Sequence, residues 1–304
     1  MPTSTASLAD TLMAELGRVI AGQQENLRLV LATLLSGGHV LLEDQPGVGK
    51  TVLARSLGTV FGLDMARIQG TSDLLPSDIT GVHVFQPNTG DWVFRAGPIF
   101  APLVLVDELN RATAKAQSAL LEAMAERQVT VEGRTMQLPQ PFMVIATQNP
   151  RGDSGTHRLG GAQVDRFASR VSFGLPGRDA ERAILNGEVG EDTVVRQVLR
   201  GDQLLALIAT VHDVAVAAPL IDYALDVVDA LRGLNGGTWL SVRVAQTLVA
   251  TARGLAYMTN RDFVTPEDIQ RSAEAVVGHR VDASITADHI TTVIHTVPVP
   301  VHGI

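Results

Sequence analysis

The sequence predicts an α/β domain followed by an all-helical domain, and three observations carry that expectation. Short apolar runs stand apart in the N-terminal half, without the alternation of half-exposed strands. Helical segments separate them. Strand signals then fade after Leu175-Pro176-Gly177, and helices follow. Short unalternating strands spaced by helices imply a parallel sheet covered on both faces. The expected division is residues 1–176 for the α/β domain and 177–304 for the helical one.

Leu27, Val30, Leu31, Leu34 and Leu35 recur at helical spacing, so Gln23 to Ser36 reads as an amphipathic helix ended by Gly37-Gly38. His39-Val40-Leu41-Leu42 is long enough for one buried strand, and a helix from Lys50 to Phe61 follows. Further strands are expected at Met65 to Gln69, Leu103 to Val106 and Phe142 to Thr147, with a helix over Ala114 to Gln128. Two hairpin signals interrupt the pattern. One runs from Val82 to Arg95 and turns at Pro87-Asn88-Thr89-Gly90. The other runs from Val129 to Leu138 and turns at Glu132-Gly133. In the C-terminal half, Asp202 to Val216, Ile221 to Leu231, Val242 to Tyr257 and Pro266 to Val277 read as helices. The last opens with Thr265 at the N-cap, Pro266 in the first turn, and Glu267 and Asp268 at the positive end of the helix dipole.

Composition bounds the function. Of 304 residues, 45% are hydrophobic and 18% charged, the balance of a chain with a true core rather than of a disordered one. Aromatics are only 4%, so Leu, Val, Ala and Ile carry the packing. Lys and Arg total 24 against 32 Asp and Glu, a net charge of −8, which argues against a nucleic-acid backbone as the main partner. There is no cysteine, so disulfides and thiolate metal sites are excluded. The N-terminus lacks the basic and apolar regions of a signal peptide, and no apolar run is long enough to span a bilayer. A cytoplasmic protein is expected.

The most informative segment is Glu43-Asp44-Gln45-Pro46-Gly47-Val48-Gly49-Lys50-Thr51, between a strand and a helix. A phosphate loop needs glycines that turn backbone N–H groups inward and a helix N-terminus for its dipole. It also needs a lysine for the β- and γ-phosphates and a hydroxyl for Mg²⁺. Gly47, Gly49, Lys50 and Thr51 supply these. The pattern also asks for glycine at 44, where the chain has Asp44. A carboxylate beside a triphosphate would weaken binding unless it turns away or pairs with a cation. Taken alone, the segment also fits an ordinary glycine-rich turn. A second signal supports the phosphate site: Leu103-Val104-Leu105-Val106 ends in Asp107-Glu108. An acid at the end of a buried strand can hold Mg²⁺, and the next one can polarise an attacking water.

Longer motifs carry a family resemblance. They are Arg67-Ile68-Gln69, Asp73 to Gly81, Phe94 to Ala101, Asp107 to Ala112, Gln117 to Met124, Ala146-Thr147-Gln148-Asn149-Pro150 and Ala162 to Phe167. Over essentially the whole chain, Val19 to Pro300, the sequence resembles the MoxR-type AAA+ ATPases. The resemblance implies a P-loop NTPase core with a C-terminal helical lid, ATP and Mg²⁺ as ligands, and a homo-oligomeric ring, usually a hexamer.

It also assigns roles. Gln45, Pro46, Gly47, Val48, Gly49, Lys50, Thr51 and Val52 would hold the nucleotide, with Gly22 and Gln23 lining the adenine pocket. Thr51 and Asp107 would serve Mg²⁺, and Glu108 and Asn149 the attacking water. Arg166 would be the arginine finger offered to a neighbour, with Arg170 a second candidate, and Arg243 the lid's sensor arginine. By spacing alone, Arg166 reads as solvating a helix start or pairing with Asp165, and Arg243 as an exposed residue near a helix N-terminus. The chain departs from the family pattern at Asp44, Gln45, Gly70, Ser72 and Val242.

The resemblance implies ATP hydrolysis driving chaperone-like remodelling or maturation of proteins, with a separate von Willebrand factor A domain partner. Other readings are a motor for metal insertion like that of magnesium chelatase, a DNA-associated motor, and a non-hydrolysing nucleotide switch suggested by Asp44. The second hairpin carries only Glu132 and Arg134 as charges, which does not favour DNA. The eight histidines show no metal-ligand spacing and read mostly as surface residues. Ser154 lacks the context of a hydrolase nucleophile. The loop from Arg151 to Gly161, with Arg151, His157 and Arg158, reads as surface.

Overall fold

The computed structural model describes residues 7–45, 47, 49–149, 159–190, 193–234, 240–282 and 284–300. Pro46, Val48, Ser154 and most of the Arg151 to Gly161 loop lie outside the described residues.

The strands are β1 Val40–Glu43, β2 Met65–Gln69, β3 Gly81–Gln86, β4 Asp91–Ala96, β5 Leu103–Asp107, β6 Gln128–Val131, β7 Arg134–Gln137, β8 Met143–Gln148 and β9 Ser169–Val171. The helices are α1 Leu8–Gly17, α2 Gln24–Leu35, α3 Lys50–Phe61, α4 Pro76–Thr80, α5 Ala114–Glu126, α6 Gly161–Val164, α7 Arg178–Leu185, α8 Gly201–His212, α9 Ala218–Arg232, α10 Val242–Met258, α11 Pro266–Val277 and α12 Ala287–Thr296.

Five strands form a parallel sheet in the order β2-β5-β8-β1-β9. Alternation along each strand sends side chains to opposite faces, and both faces are buried. Leu42, Leu103, Leu105 and Ile145 enter one core with α1, α2 and α3. Leu41, Val104, Val106 and Val144 enter a second core with α5 and Phe167. This is why β1, β5 and β8 read as apolar runs. Two antiparallel hairpins, β3–β4 and β6–β7, stand off the sheet at the expected turns. They meet where His83 Nδ1 approaches Glu132 Oε2 to 3.0 Å.

Beyond α7, which buries no side chain, the helices after Gly177 serve two cores. Leu204, Leu207 and Val211 of α8 pack into the core shared with α2. Helices α9, α10, α11 and α12 enclose a third core around Tyr223, Val227, Leu248, Ile269 and Ile290. Helix α10 joins the two, since its Leu255 and Met258 face α2 while Leu248 and Ala252 face the third core. The start of α11 is held as its sequence suggests: Asp268 Oδ2 accepts from the Thr265 backbone N–H at 2.8 Å, and Arg261 forks onto the same carboxylate at 2.6 and 2.7 Å.

Several elements go beyond the expectation. Strand β9 has three residues and forms only because β1 pairs with it along the sheet edge. Helix α12 is rich in β-branched residues, poor helix formers. Ile290 and Ile294, anchored in the third core, hold it. His39 is buried at the head of β1, not on the surface. Its Nδ1 accepts from the Val144 N–H at 3.0 Å.

Candidate functional site

The parallel strands point their C-terminal ends at one edge of the sheet, where connections to the following helices open a cleft of about 520 Å³. Gly47, Gly49, Lys50, Thr51 and Val52 line one side, and Asp107, Glu108 and Asn149 line the other. The loop has φ of 90° at Gly47 and 83° at Gly49, a left-handed backbone open to glycine at little cost. Gly49 is also the residue from which α3 starts, so the helix N-terminus opens on the cleft.

Lys50 Nζ donates to the Asp44 carbonyl at 2.6 Å. Burial pulls the Lys50 ammonium below its usual range, and the charges of Asp44, Asp107 and Glu108 pull it back. Asp107 is buried at the end of β5, and Glu108 follows with φ of 53°, a left-handed conformation rare for a residue with a side chain. The backbone N–H of Glu108 donates to the Thr147 hydroxyl at 2.9 Å, and that hydroxyl donates to Asp107 Oδ1 at 3.4 Å. Gly70 fits this turn closely: its N–H donates to the Asp107 carbonyl at 2.7 Å, and a Cβ there would stand 2.2 Å from the Glu108 carbonyl oxygen.

The cleft holds residues without an assigned role in the sequence reading: Arg55, Arg67, Gln69, Thr147 and Gln148. Arg67 Nε donates to Asp107 Oδ2 at 2.7 Å. Glu108 Oε2 accepts from Gln69 Nε2 at 3.2 Å and from Arg111 at 3.0 Å. The signal was partly present, because Arg67 and Gln69 are polar residues at the end of a strand. Their address was not, because only the β2–β5 register sets Gln69 opposite Asp107.

Asp44 turns away from the cleft, one of the two arrangements in which it would not weaken phosphate binding. It is only 4% exposed and turns towards the exit of β9. Oδ1 accepts from the Ser172 hydroxyl at 2.7 Å and the Gly174 N–H at 2.9 Å, and Oδ2 from the Phe173 N–H at 2.7 Å. Gln45 is exposed and does not line the cleft. Gly22 and Gln23 do not line it either. Gly22 (φ 71°) packs by Ala180 of α7, and Gln23 precedes α2 and accepts from Asn26 at 2.9 Å.

Arg166 and Arg243 lie away from the cleft. Strands β1 and β9 are parallel, with Val40 opposite Ser169, so the turn before β9 sits at the other edge of the sheet from the phosphate loop. Arg166 does not pair with Asp165. Its Nη1 donates to the Leu121 carbonyl at 2.6 Å, beside a second cleft lined by Glu122, Glu126 and Gln163. Asp165 instead takes Arg280 at 2.8 Å and Arg243 at 3.8 Å. Arg170 lies within β9 and is bound to Glu43 at 2.9 Å.

Among the described residues, no three His, Cys, Asp or Glu side chains gather as a metal cage. Asp107 and the Thr51 hydroxyl are hard oxygen donors on one cleft. That set suits Mg²⁺, which binds through one or two carboxylates together with substrate phosphates. No helix among the described residues is long and apolar enough to cross a membrane.

A glycine-rich loop opening a helix beside a strand that ends in acids defines the P-loop class of nucleotide-binding folds. Residues 39–169 match the model of the ATPase family associated with various cellular activities (AAA), and 240–296 match the AAA lid domain. The chain is 41% identical to the uncharacterized protein YeaC of Bacillus subtilis over 270 residues, 87% of this chain and 84% of YeaC. It is 39% identical to the chaperone MoxR1 of Mycobacterium tuberculosis over 276 residues, 88% of this chain and 73% of MoxR1. A crystal structure from Cytophaga hutchinsonii, provisionally described as an ATPase, superposes with a TM-score of 0.83 at 33% identity, covering 96% of each chain. The chain belongs to the MoxR family of AAA+ ATPases.

Proposed function

We propose that this protein binds ATP with Mg²⁺ and hydrolyses it within a ring of like subunits, driving chaperone-like remodelling or maturation of protein partners. The observation that carries the reading is the division of the machinery. Lys50, Thr51, Asp107, Glu108 and Asn149 share one cleft, while Arg166 and Arg243 lie elsewhere, which supports a site completed by a second subunit.

The residue roles follow from chemistry. Gly47, Gly49 and the first turn of α3 present backbone N–H groups to the phosphates, and Lys50 leaves the Asp44 carbonyl for them. Thr51 and Asp107 would hold Mg²⁺, which would supply positive charge to offset that of the phosphates. Glu108 accepts the proton of the attacking water, and Asn149 orients it. Arg166, with Arg243 beside the same turn, stabilises charge on the neighbour's γ-phosphate. A trans arginine of this kind is worth about 10³–10⁵ in rate. Ile20 stands near Gly49 and Gly22 near α7, which supports a base pocket next to the loop.

A protein client is supported by the relative named as a chaperone and by the exposed β3–β4 hairpin. Its Trp92 is 68% exposed and its ring centroid lies 5.5 Å from that of Phe85. A separate von Willebrand factor A domain partner, a hexamer and a cytoplasmic setting complete the proposal. The switch reading loses its motive, because Asp44 faces Ser172 and not the phosphates.

The test is Mg²⁺-dependent ATP turnover at rising protein concentration. Specific activity should climb as subunits assemble, and Glu108→Gln should bind ATP without turning it over. Turnover independent of concentration would refute the shared site. Binding without turnover at every concentration would revive the switch.

A further inference from the structure

The turn that carries Arg166 is held from the helical lid. Residues 165–168 link α6 to β9. Arg280, just past α11, is 4% exposed at its side chain, and its guanidinium is spent mainly on this turn. Nε donates to Asp165 Oδ1 at 2.8 Å. Nη2 donates to the Asp165 carbonyl at 3.2 Å and the Phe167 carbonyl at 2.7 Å. Nη1 donates to the Ala168 carbonyl at 3.3 Å and to the Val276 carbonyl of its own helix. His279 Nε2 lies 3.0 Å from the Phe167 carbonyl, and Arg243 adds a longer contact to Asp165.

Burying a guanidinium is costly, and a well-packed apolar residue often stabilises as much. What the planar fork adds is direction: its donors lie in one fixed plane, so carbonyls that meet them together have little freedom. Here the fork takes the backbone on both sides of Arg166. The turn's amides point elsewhere, Arg166 N–H to Gln163 at 3.3 Å and Ala168 N–H to His39 at 2.8 Å. The carbonyls of Asp165, Phe167 and Ala168 therefore look to Arg280.

We propose that Arg280 is a positioning residue for the intersubunit reaction: by clamping residues 165–168 from the lid, it aims Arg166 at the neighbouring nucleotide. The lid of one subunit is thereby tied to the active site of the next, and a shift of α11 is transmitted to Arg166 through the clamp. This rests on the reading of Arg166 as the finger supplied in trans, and the experiment separates the two.

Three variants are made in the full chain: Arg280→Lys, which keeps the charge but not the fork, Arg166→Ala, and Glu108→Gln. Each of the first two is assayed alone and mixed with Glu108→Gln, whose own sites are silent but whose Arg166 and Arg280 are intact. Arg280→Lys alone should lose about 10- to 100-fold in turnover, the scale of a misplaced catalytic group, with fluorescent-nucleotide affinity unchanged. Mixing should restore turnover to both Arg280→Lys and Arg166→Ala, because each variant site then faces an intact finger. A role confined to a subunit's own fold or site would give no such rescue. Rescue of Arg166→Ala without rescue of Arg280→Lys overturns the clamp and leaves the finger standing. Failure of Arg166→Ala to be rescued overturns the finger reading and the clamp with it. Unchanged turnover in Arg280→Lys, or a matching loss of nucleotide affinity, also overturns the clamp. If Arg280→Lys does not fold, Asp165→Asn breaks the same clamp from the other side and is judged by the same outcomes.

Discussion

The Asp44 carboxylate and the Ser172 hydroxyl meet at 2.7 Å, joining the phosphate loop to the strap that leads from β9 into α7. The partners are 128 residues apart in the chain. The strap's Phe173 and Gly174 amides add two further hydrogen bonds to the same carboxylate. The residue that departs from the phosphate-loop pattern is thus a structural acceptor.

Restoring glycine at this position tests that role. Asp44→Gly removes a charged acceptor from three donors and should cost about 2–4 kcal/mol of stability. Nucleotide affinity should change by less than about threefold, because the carboxylate faces away from the phosphates. Urea unfolding and a fluorescent-nucleotide titration measure the two. Much tighter binding with unchanged stability would return the carboxylate to the phosphate side.

Arg67 makes a prediction about Mg²⁺. Its Nε holds Asp107 Oδ2 at 2.7 Å, so the guanidinium both occupies and repels a cation at the oxygen proposed as metal ligand. Partly exposed ion pairs are worth up to about 1 kcal/mol. Arg67→Ala should therefore lower the Mg²⁺ concentration that half-saturates nucleotide binding by about 2- to 5-fold. A higher Mg²⁺ requirement would instead make Arg67 a phosphate contact.

His39 predicts a pH dependence. Burial pulls its imidazole from 6.5 down to about 4, so it stays neutral in the folded chain while the unfolded chain takes up a proton below 6.5. Between these values the unfolded state binds more protons, so stability rises with pH and falls as the solution is acidified. The contribution, complete above about 6.5, amounts to about 3 kcal/mol lost on reaching pH 4. The stability advantage of the wild type over His39→Asn should shrink by that amount from pH 7 to pH 4 in urea unfolding. A constant difference would mean that His39 does not titrate in this window.

The most readable elements were those whose signals are local. The segment from Gly47 to Thr51 carries loop, helix start, lysine and hydroxyl within one short stretch, and the structure sets α3 at Lys50. The hairpins announced themselves by turn residues, and α11 by Thr265, Pro266 and Asp268. Strand β9 was not legible, because three residues hold no periodicity and its pairing partner, β1, lies far back in the chain. Arg67 and Gln69 stood in a recognisable motif without an address. Arg280 carried no signal at all, since its partners in the turn, the Asp165 carboxylate and three backbone carbonyls, lie 112 to 115 residues away.

The sequence by itself determined the parallel sheet covered by helices, the glycine-rich loop that opens α3, the acidic pair at the end of β5 and the family. These depend on spacing along the backbone and on side-chain chemistry, which a linear chain displays. Only the tertiary structure decided where Asp44 points, which acid Arg280 holds, and that Arg243 of α10 reaches the turn of Arg166 away from the chain's own cleft. Those are choices among partners of similar chemistry, and the packing of the sheet against the lid makes them, because it alone brings distant segments within hydrogen-bonding reach.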